Sequence, residues 1–303
     1  MRRDGEPATG ELGAFLRGRR ARLTPQDAGL VSYGARRVPG LRREELAQLA
    51  GVSMTYYTRL EQGQSANASE SVIESLARAL MLDDDERRHL HDLARPRPAR
   101  RRRTARPEVA RPGTRRLIDA MREVPAVILG RRSEVLAWNR LGHRLLAGHL
   151  DEAAPDRPAD RPNLTWMLFL DPHTRELYSR WAEEGDRAVA SLRLVAGRHP
   201  DDPELTALIG ELCVKSPEFA ARWARHPVRR CLSGTKHLRH PELGDLELEF
   251  EVLDLADETG HRMITYTAAP GTYSQAALQL LAAGAPAEPP MARHGGAAGE
   301  PRR

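Results

Sequence analysis

One run of residues decides how the front of the chain folds: Arg42-Arg43-Glu44-Glu45-Leu46-Ala47-Gln48-Leu49-Ala50-Gly51-Val52-Ser53. Ala47 is small enough to let a second helix cross closely, and Gly51 can adopt the left-handed backbone conformation that a tight turn needs. Ser53 is a good N-cap for a following helix, and Gly63 is a good C′ residue after its end. The run therefore predicts two short helices that are joined by a tight turn, a helix-turn-helix.

The second of these helices has an outward face. Leu60 returns to the core, so Met54, Thr55 and Arg59 lie on the opposite side. The second helix of a helix-turn-helix enters the major groove of DNA with its N-terminal end, where side chains reach the base edges. We therefore expect this face to bind double-stranded DNA.

The charge of the chain is concentrated at its front. Residues 1–115 hold 23 arginines and 15 acidic residues, a net charge of +8, whereas the remainder has a net charge of −3. A basic front half joined to a near-neutral back half favours a polyanionic partner for the front alone.

Composition divides the chain into four segments. Apolar residues recur at helical spacing in the first, as in Leu12–Arg22, whereas prolines and like charges break the second. The third mixes helical and strand patterns, and the fourth is rich in Ala, Gly and Pro. The predicted segments are a helix-turn-helix domain (11–95), an Arg/Pro-rich linker (96–113), a second folded domain (114–281) and a disordered tail (282–303).

The predicted linker admits two interpretations. Its run Arg100–Arg103 can reach phosphates or a minor groove beside the DNA site, as basic arms do. It can equally be a solvated spacer. Neutralising the run distinguishes the two, because the loss of phosphate contacts would flatten the salt dependence of DNA binding.

The front of the chain resembles a known class of regulator. Residues 46–63 resemble the helix-turn-helix of phage-repressor-like, or xenobiotic-response-element (XRE), proteins. Two strings narrow the resemblance to actinobacterial regulators with an MmyB-like ligand-binding domain: Arg36-Arg37-Val38-Pro39-Gly40-Leu41-Arg42-Arg43-Glu44-Glu45 and Tyr56-Tyr57-Thr58-Arg59-Leu60-Glu61-Gln62-Gly63. The resemblance implies a lambda-repressor-like all-α domain of five helices, in which Glu61 pairs with Arg20 of the first helix.

The same resemblance implies roles in DNA binding. Met54, Thr55 and Arg59 would read bases, and the fork of the Arg59 guanidinium suits a guanine. Ser53, Tyr56 and the backbone at the start of their helix would hold phosphates. Further arginines would contact phosphates or the groove edge, unless they are merely solvated charges: Arg36, Arg37, Arg42 and Arg43.

The second folded domain mixes strands and helices. Two short apolar runs around 130–133 predict a β-hairpin, and the stretches 246–253 and 262–267 alternate like half-buried strands. Amphipathic helices lie between them, among them 181–196, 203–215 and 217–225. Strands at both ends with helices between them predict an α+β fold.

This domain also resembles the MmyB-like ligand-binding domain, which has a PAS-like fold. The stretches that carry the resemblance include Leu136-Ala137-Trp138-Asn139, Phe169-Leu170-Asp171-Pro172, Ser216-Pro217-Glu218-Phe219 and His240-Pro241-Glu242-Leu243-Gly244. The resemblance implies a pocket for a small molecule, and a fatty acid is the best known type of ligand in this family.

The candidate ligand-binding residues are aromatic, with one cation. All four tryptophans of the chain lie in this domain, and an apolar pocket with a cation would suit a lipid carboxylate. Arg193 lies inside an apolar helix and could supply the cation or form a structural ion pair. The aromatic side chains could equally be core, and Asn139 could cap a turn. The predicted ligand-binding residues are Trp138, Asn139, Trp166, Phe169, Trp181, Arg193, Phe219 and Trp223.

Other classes of function lack a motif in this sequence. It has no G-x-S-x-G, P-loop or dinucleotide fingerprint, and its histidines lack metal-ligand spacing, so we expect no enzyme activity, metal or cofactor. The sequence has no run of about 18 apolar residues, so it predicts no membrane span. Cys213 and Cys231 are expected to be small buried residues.

These observations predict a transcription regulator. We expect a cytoplasmic, nucleoid-associated homodimer that binds a two-fold related DNA operator and a small apolar ligand. An alternative makes the second domain a dimerisation or protein-partner module without a ligand.

Overall fold

The front of the molecule is a bundle of five helices, as predicted. The computed structural model describes residues 10–30, 38, 40–64, 68–94, 108–256 and 260–284; Arg36, Arg37, most of the predicted linker and most of the predicted tail lie outside these residues. The five helices are α1 (Glu11–Arg22), α2 (Arg43–Leu49), α3 (Met54–Glu61), α4 (Glu70–Ala79) and α5 (Asp84–Ala94). Their core is formed by buried side chains such as Phe15, Leu46, Tyr57, Leu60 and Leu76.

The turn between α2 and α3 has the geometry that its residues predict. Gly51 has a φ of +67°, in the left-handed region that glycine adopts without a steric penalty. The Ser53 hydroxyl then accepts a hydrogen bond from the backbone N–H of Tyr56 (3.2 Å), which caps α3. The turn and the cap together fix the angle at which α3 leaves the bundle.

The back of the molecule contains a five-stranded antiparallel sheet. Its strands are β1 (Ala126–Leu129), β2 (Val135–Trp138), β3 (Ser233–His240), β4 (Gly244–Asp254) and β5 (Arg262–Thr267), in the spatial order β2-β1-β5-β4-β3. The predicted hairpin is formed by β1 and β2, and both alternating stretches are strands. In the β4–β5 pair Phe250 lies opposite Tyr266, Val252 opposite Ile264, and Asp254 opposite Arg262.

Eight α-helices accompany this sheet among the described residues, so the domain has the α+β fold that the sequence predicts. They are α6 (Pro112–Ala120), α7 (Arg140–Ala147), α8 (Leu164–Leu170), α9 (Pro172–Leu177), α10 (Trp181–Arg198), α11 (Pro203–Lys215), α12 (Pro217–Ala224) and α13 (Tyr273–Ala283), with a 3₁₀ turn at Ala154–Asp156. Helix α10 is the longest and lies between the sheet domain and the front bundle.

The sequences of strand β3 and helix α6 did not predict these elements. Strand β3 reads Ser-Gly-Thr-Lys-His-Leu-Arg-His and buries only Leu238 and His240, so it lacks a strict apolar alternation. Helix α6 begins at Pro112, inside the segment predicted as a linker. Proline is tolerated at the first helical position because no intrahelical bond is lost there.

The two domains meet along α5 and α10. Leu194 of α10 is part of the core of the front bundle, and Gly197 lies so close to His89 that an added Cβ would be 2.4 Å from the imidazole Cε1. Arg198 Nε contacts Asp92 Oδ2 at 3.0 Å. We call the contact made by His89, Asp92, Leu194, Gly197 and Arg198 the interdomain joint.

Among the helices of the described segments, none is long and apolar enough to cross a bilayer.

Candidate nucleic-acid interface and cavity

The predicted DNA-binding residues share one exposed surface on α3 and α2. Ser53, Met54, Thr55 and Arg59 are exposed, and Tyr56 is half-buried beside them. Arg42 and Arg43 lie at the start of α2 and are also exposed. Arg37 lies outside the described residues. The interdomain joint contacts one face of α5 and does not include this surface.

Glu61 anchors α3 from beneath this surface. Its fully buried carboxylate accepts hydrogen bonds from Arg20 Nε (2.7 Å), Arg43 Nε (2.7 Å) and the Tyr57 hydroxyl (2.6 Å). The predicted Glu61–Arg20 pair is therefore confirmed. We call Glu61, Arg20, Arg43 and Tyr57 the Glu61 cluster.

The electrostatics of the cluster are satisfied internally. Burial alone would raise the pKa of Glu61, but the hydrogen bonds from Arg20, Tyr57 and Arg43 hold it below its ordinary value. Arg43 belongs both to the Glu61 cluster and to the exposed surface. Its guanidinium donates to Glu61, while its side chain remains half exposed. The cluster fixes both ends of the helix-turn-helix, since it joins α1, α2 and α3.

A cavity of about 380 Å³ lies in the second domain, between α10 and the sheet. Its volume falls within the range of small-molecule sites, about 300–1,000 Å³. Apolar side chains line its middle, from the sheet and from α7 and α8 as well as α10: Leu129, Leu146, Met167, Val195, Phe250 and Ile264. These side chains offer an apolar contact surface inside the cavity.

One end of the cavity holds a paired lysine. Lys236 of β3 forms an ion pair with Glu184 of α10, and its ammonium lies 4.4 Å from the centroid of the Phe250 ring. Burial lowers the pKa of Lys236, and Glu184 acts in the opposite direction. Arg187 contacts the other oxygen of Glu184, so this carboxylate is shared by two cations.

The other end holds four arginines, Arg131, Arg198, Arg230 and Arg262, which we call the cationic end. Three of them contact a carboxylate: Arg131 meets Asp202 (3.2 Å), Arg198 meets Asp92 (3.0 Å) and Arg230 meets Asp254 (2.8 Å). Contacts also connect these residues to Arg262, which lies opposite Asp254 in the sheet and donates to the carbonyl of Gly130 beside Arg131.

Arg262 differs from its neighbours in the cationic end. Its guanidinium donates to the Ser133 hydroxyl (2.7 Å) and the Gly130 carbonyl (3.3 Å), and within the described segments of the chain it has no carboxylate at ion-pair distance. Burial lowers the pKa of Arg262, while the charges of Glu134 and Asp254 act in the opposite direction. An acidic group in the cavity would give Arg262 a carboxylate at ion-pair distance, which the described residues do not supply.

None of the eight residues predicted to bind a ligand lines this cavity. Phe169, Trp181, Phe219 and Trp223 form a separate aromatic cluster, with ring centroids 5.1–5.6 Å apart. Arg193 donates to the Trp223 carbonyl, and its guanidinium lies 3.5 Å from the centroid of that ring. The predicted cation is therefore a core residue on the far side of α10 from the cavity wall.

The remaining predicted residues also make internal hydrogen bonds. Trp138 Nε1 donates to the Glu152 carbonyl (2.7 Å) and Trp166 Nε1 to Glu211 (3.1 Å). Asn139 caps α7 through Gly142 N–H (2.7 Å), and its amide nitrogen donates to three carbonyls, those of Ile118, Met121 and Val124. Each of these side chains has a structural partner.

Sequence reasoning missed Arg262, although the signal was present. In β5 the residues Arg262, Ile264 and Tyr266 share one face, and all three line the cavity. A charged residue on an otherwise apolar strand face is the pattern that marks it. Lys236 lies on β3, a strand that was not predicted, so its position beside Glu184 could not be inferred.

Comparisons with known proteins agree with this architecture. The model of a helix-turn-helix domain family matches residues 11–90. The model of the MmyB-like transcription regulator ligand binding domain matches residues 110–281, more than half of the chain. A search of curated proteins gave no match. These matches are to families of transcription regulators, not of enzymes. The chain is a DNA-binding transcription regulator and belongs to the family with an MmyB-like ligand-binding domain.

Proposed function

We propose that this regulator responds to a small apolar acid of the fatty-acid type, which binds in the cavity and changes the affinity for an operator. The observation that carries the proposal is Arg262, a cation on the wall of a cavity that also has an apolar part. Its hydrogen bonds go to neutral groups, the Ser133 hydroxyl and the Gly130 carbonyl. A half-buried guanidinium gains most from a carboxylate, with which it can form two charge-assisted hydrogen bonds.

The proposed ligand places its acid at the cationic end and its chain along the apolar middle. Lys236 is a weaker candidate for the acid because it already contacts a carboxylate, that of Glu184, although it shares this partner with Arg187. The aliphatic side chains Leu129, Leu146 and Ile264 would contact the hydrocarbon. Burial of each methylene contributes about 0.8 kcal/mol, so chain length should govern affinity until the cavity is filled.

The proposed operator contact uses the exposed surface of α3. Met54, Thr55 and Arg59 would reach base edges, and Ser53 with Tyr56 would hold phosphates. Arg37, Arg42 and Arg43 would contact the backbone beside the groove. A homodimer would bind two half-sites about one helical turn apart, because each recognition helix enters the major groove on the same side of the duplex.

The test has two parts on the full-length protein. Bound sequences are first selected from random DNA, and a two-fold related site is expected. The affinity for that site is then measured with dodecanoate and with dodecanol, while native mass spectrometry records bound ligand. Dodecanoate is expected to bind and to change the operator dissociation constant by about fivefold or more, with a smaller effect of dodecanol.

Three outcomes would contradict the proposal in different ways. No enriched sequence would remove the operator. Binding of dodecanoate without any change in operator affinity would remove the modulation. Absence of dodecanoate binding, with a dimer that forms only through the second domain, would favour a ligand-free dimerisation or protein-partner module.

A further inference from the structure

Helix α10 forms a wall of the cavity and a surface of the interdomain joint. Ala188, Ser191 and Val195 face the cavity, and Gly197 faces His89 of the front bundle. Leu194 belongs to both, because it lines the cavity and is part of the bundle core. A molecule in the cavity therefore touches the helix on which the DNA-binding domain rests.

Two arginines of the cationic end hold the DNA-binding domain directly. Arg198 lines the cavity and contacts Asp92 of α5 through its guanidinium (3.0 Å). Arg230 lines the cavity, and its backbone N–H donates to Asp85 of the same helix (2.6 Å). These contacts join the cavity to the first and last turns of α5.

We propose that an acidic group bound at the cationic end competes with Asp92 for Arg198 and so loosens the interdomain joint. This inference rests on the proposed function for the identity of the ligand. It gives the regulation a direction and a location. The acid and Asp92 are alternative partners of one guanidinium, so occupancy of the cavity and docking of α5 oppose each other.

Loosening would act on orientation and not on exposure of the DNA-binding surface. The joint covers α5, whereas Met54, Thr55 and Arg59 on α3 are already exposed. A front bundle held less tightly at α10 can change its orientation relative to the second domain, while α1 still contacts the segment after α12 through Arg19 and Arg22. In a dimer this would relax the spacing between the two recognition helices, which the half-sites of an operator fix.

Hydrogen–deuterium exchange of the full-length chain tests the proposal without and with a ligand. Val195→Glu places a carboxylate on the cavity wall, three residues before Arg198, where it can pair with that guanidinium. Val195→Gln is the matched control of the same shape without the charge. Gly197→Ala sets the scale for an opened joint, because its Cβ would meet the His89 ring.

The expected result is exchange in 84–94 about threefold faster in Val195→Glu than in Val195→Gln, the effect of one half-exposed ion pair. In the wild type, dodecanoate is expected to slow exchange in β4 and β5 and to speed it in 84–94. Equal exchange of α5 in the two Val195 variants would overturn the competition for Arg198.

The ligand arm separates this inference from the proposed function. If dodecanoate protects β4 and β5 but leaves α5 unchanged, the ligand binds and the coupling is wrong. If dodecanoate protects nothing while Val195→Glu still speeds exchange of α5, the coupling stands and the fatty-acid type of ligand is wrong. Asp160→Asn, which breaks an exposed ion pair with Arg157, should leave α5 unchanged in every condition.

Discussion

The Glu61 cluster and the cationic end of the cavity differ in how the charge at their centre is compensated. Glu61 has charged partners within the chain, whereas Arg262, within the described residues, donates only to neutral groups. Glu61 is fully buried and receives hydrogen bonds from two arginines and a tyrosine, so its charge is satisfied by the chain itself. Arg262 is half-buried, yet its guanidinium donates to a hydroxyl and a carbonyl and, in the part of the chain that the structure describes, not to a carboxylate. A buried charge costs free energy unless a partner compensates it.

The difference separates a structural charge from one that can bind a ligand. In the Glu61 cluster the partners lie on α1, α2 and α3, and their purpose is to fix the helix-turn-helix. At the cationic end the carboxylates Asp92, Asp202 and Asp254 serve the neighbours of Arg262. Removal of Glu61 should therefore damage the fold, whereas removal of Arg262 should damage the discrimination between ligands.

The largest effect is expected for Glu61→Ala. It leaves two guanidinium groups and a buried hydroxyl without their common acceptor, so the free energy of unfolding of the front domain should fall by about 3–5 kcal/mol. Urea denaturation, monitored by hydrogen–deuterium exchange in α1 and α3, measures this free energy of unfolding. Glu44→Ala, which removes an exposed pair with Arg42, should cost less than about 1 kcal/mol. Similar costs for the two variants would contradict the structural role of Glu61.

Arg59→Ala tests the exposed face of α3, the helix that carries Glu61 and Tyr57 on its buried face. Arg59 is exposed on α3, and no side-chain partner is found for it in the described part of the chain. Its loss should cost about 1–3 kcal/mol of specific binding and relax one base position, with little change in stability. Competition binding with the selected site and with random DNA measures both. An equal loss on the two DNAs would assign Arg59 to phosphate contact.

The interdomain joint should weaken in acid. Burial, and then the positive charges of Arg193 and Arg19, lower the pKa of His89 to about 4, from an unfolded value of 6.5. The neutral ring is the form that fits beside Gly197, so this stabilisation is fully present above pH 6.5 and is lost as the pH falls towards 4. Between about pH 7.5 and 5.5 the joint should lose at most about 1 kcal/mol, because part of the burial of His89 is against Phe15 of its own bundle.

Exchange of α5 as a function of pH, corrected for the intrinsic exchange rate, measures the weakening of the joint. His89→Gln removes the titrating group and should flatten the slope, whereas His237→Gln, a change in β3, should leave it unchanged. A slope that survives in His89→Gln would assign the effect to another group, with His226 the next candidate because its pKa is also lowered to about 4.

The sequence predicted those parts of the molecule that local rules control. Gly51 and Ser53 determine the turn and the cap by their own conformational and hydrogen-bonding preferences, so the helix-turn-helix followed from adjacent residues. Strand β5 was predicted over its full length, because alternation is a local pattern. Strand β3 was not predicted, because its pairing with β4, and not its composition, makes it a strand.

The residues that line the cavity were not predicted, for a related reason. A pocket is formed by residues far apart in sequence, and composition does not distinguish an aromatic side chain in a core from one on a cavity wall. Trp181, Phe219 and Trp223 belong to the former class, and Trp138 and Trp166 donate their indole N–H groups to internal acceptors. The wall combines aliphatic side chains with arginines that the sequence could not place together.

The smallest expected effect is the sharpest test of the comparison. Arg262→Gln keeps a hydrogen-bond donor for Ser133 and Gly130 but removes the charge, so the fold should persist. We expect dodecanoate to bind about fivefold less tightly, a loss of about 1 kcal/mol, while binding of dodecanol stays unchanged. Calorimetric titration of both ligands measures the ratio of the two affinities.

The ratio, and not either affinity alone, decides the role of Arg262. Arg239→Gln removes an exposed arginine paired with Asp245 and should leave the ratio as in the wild type. If Arg262→Gln weakens acid and alcohol equally, the guanidinium supports the cavity wall in the way that Arg20 and Arg43 support α3. A selective loss of affinity for the acid would instead assign Arg262 to the recognition of the carboxylate.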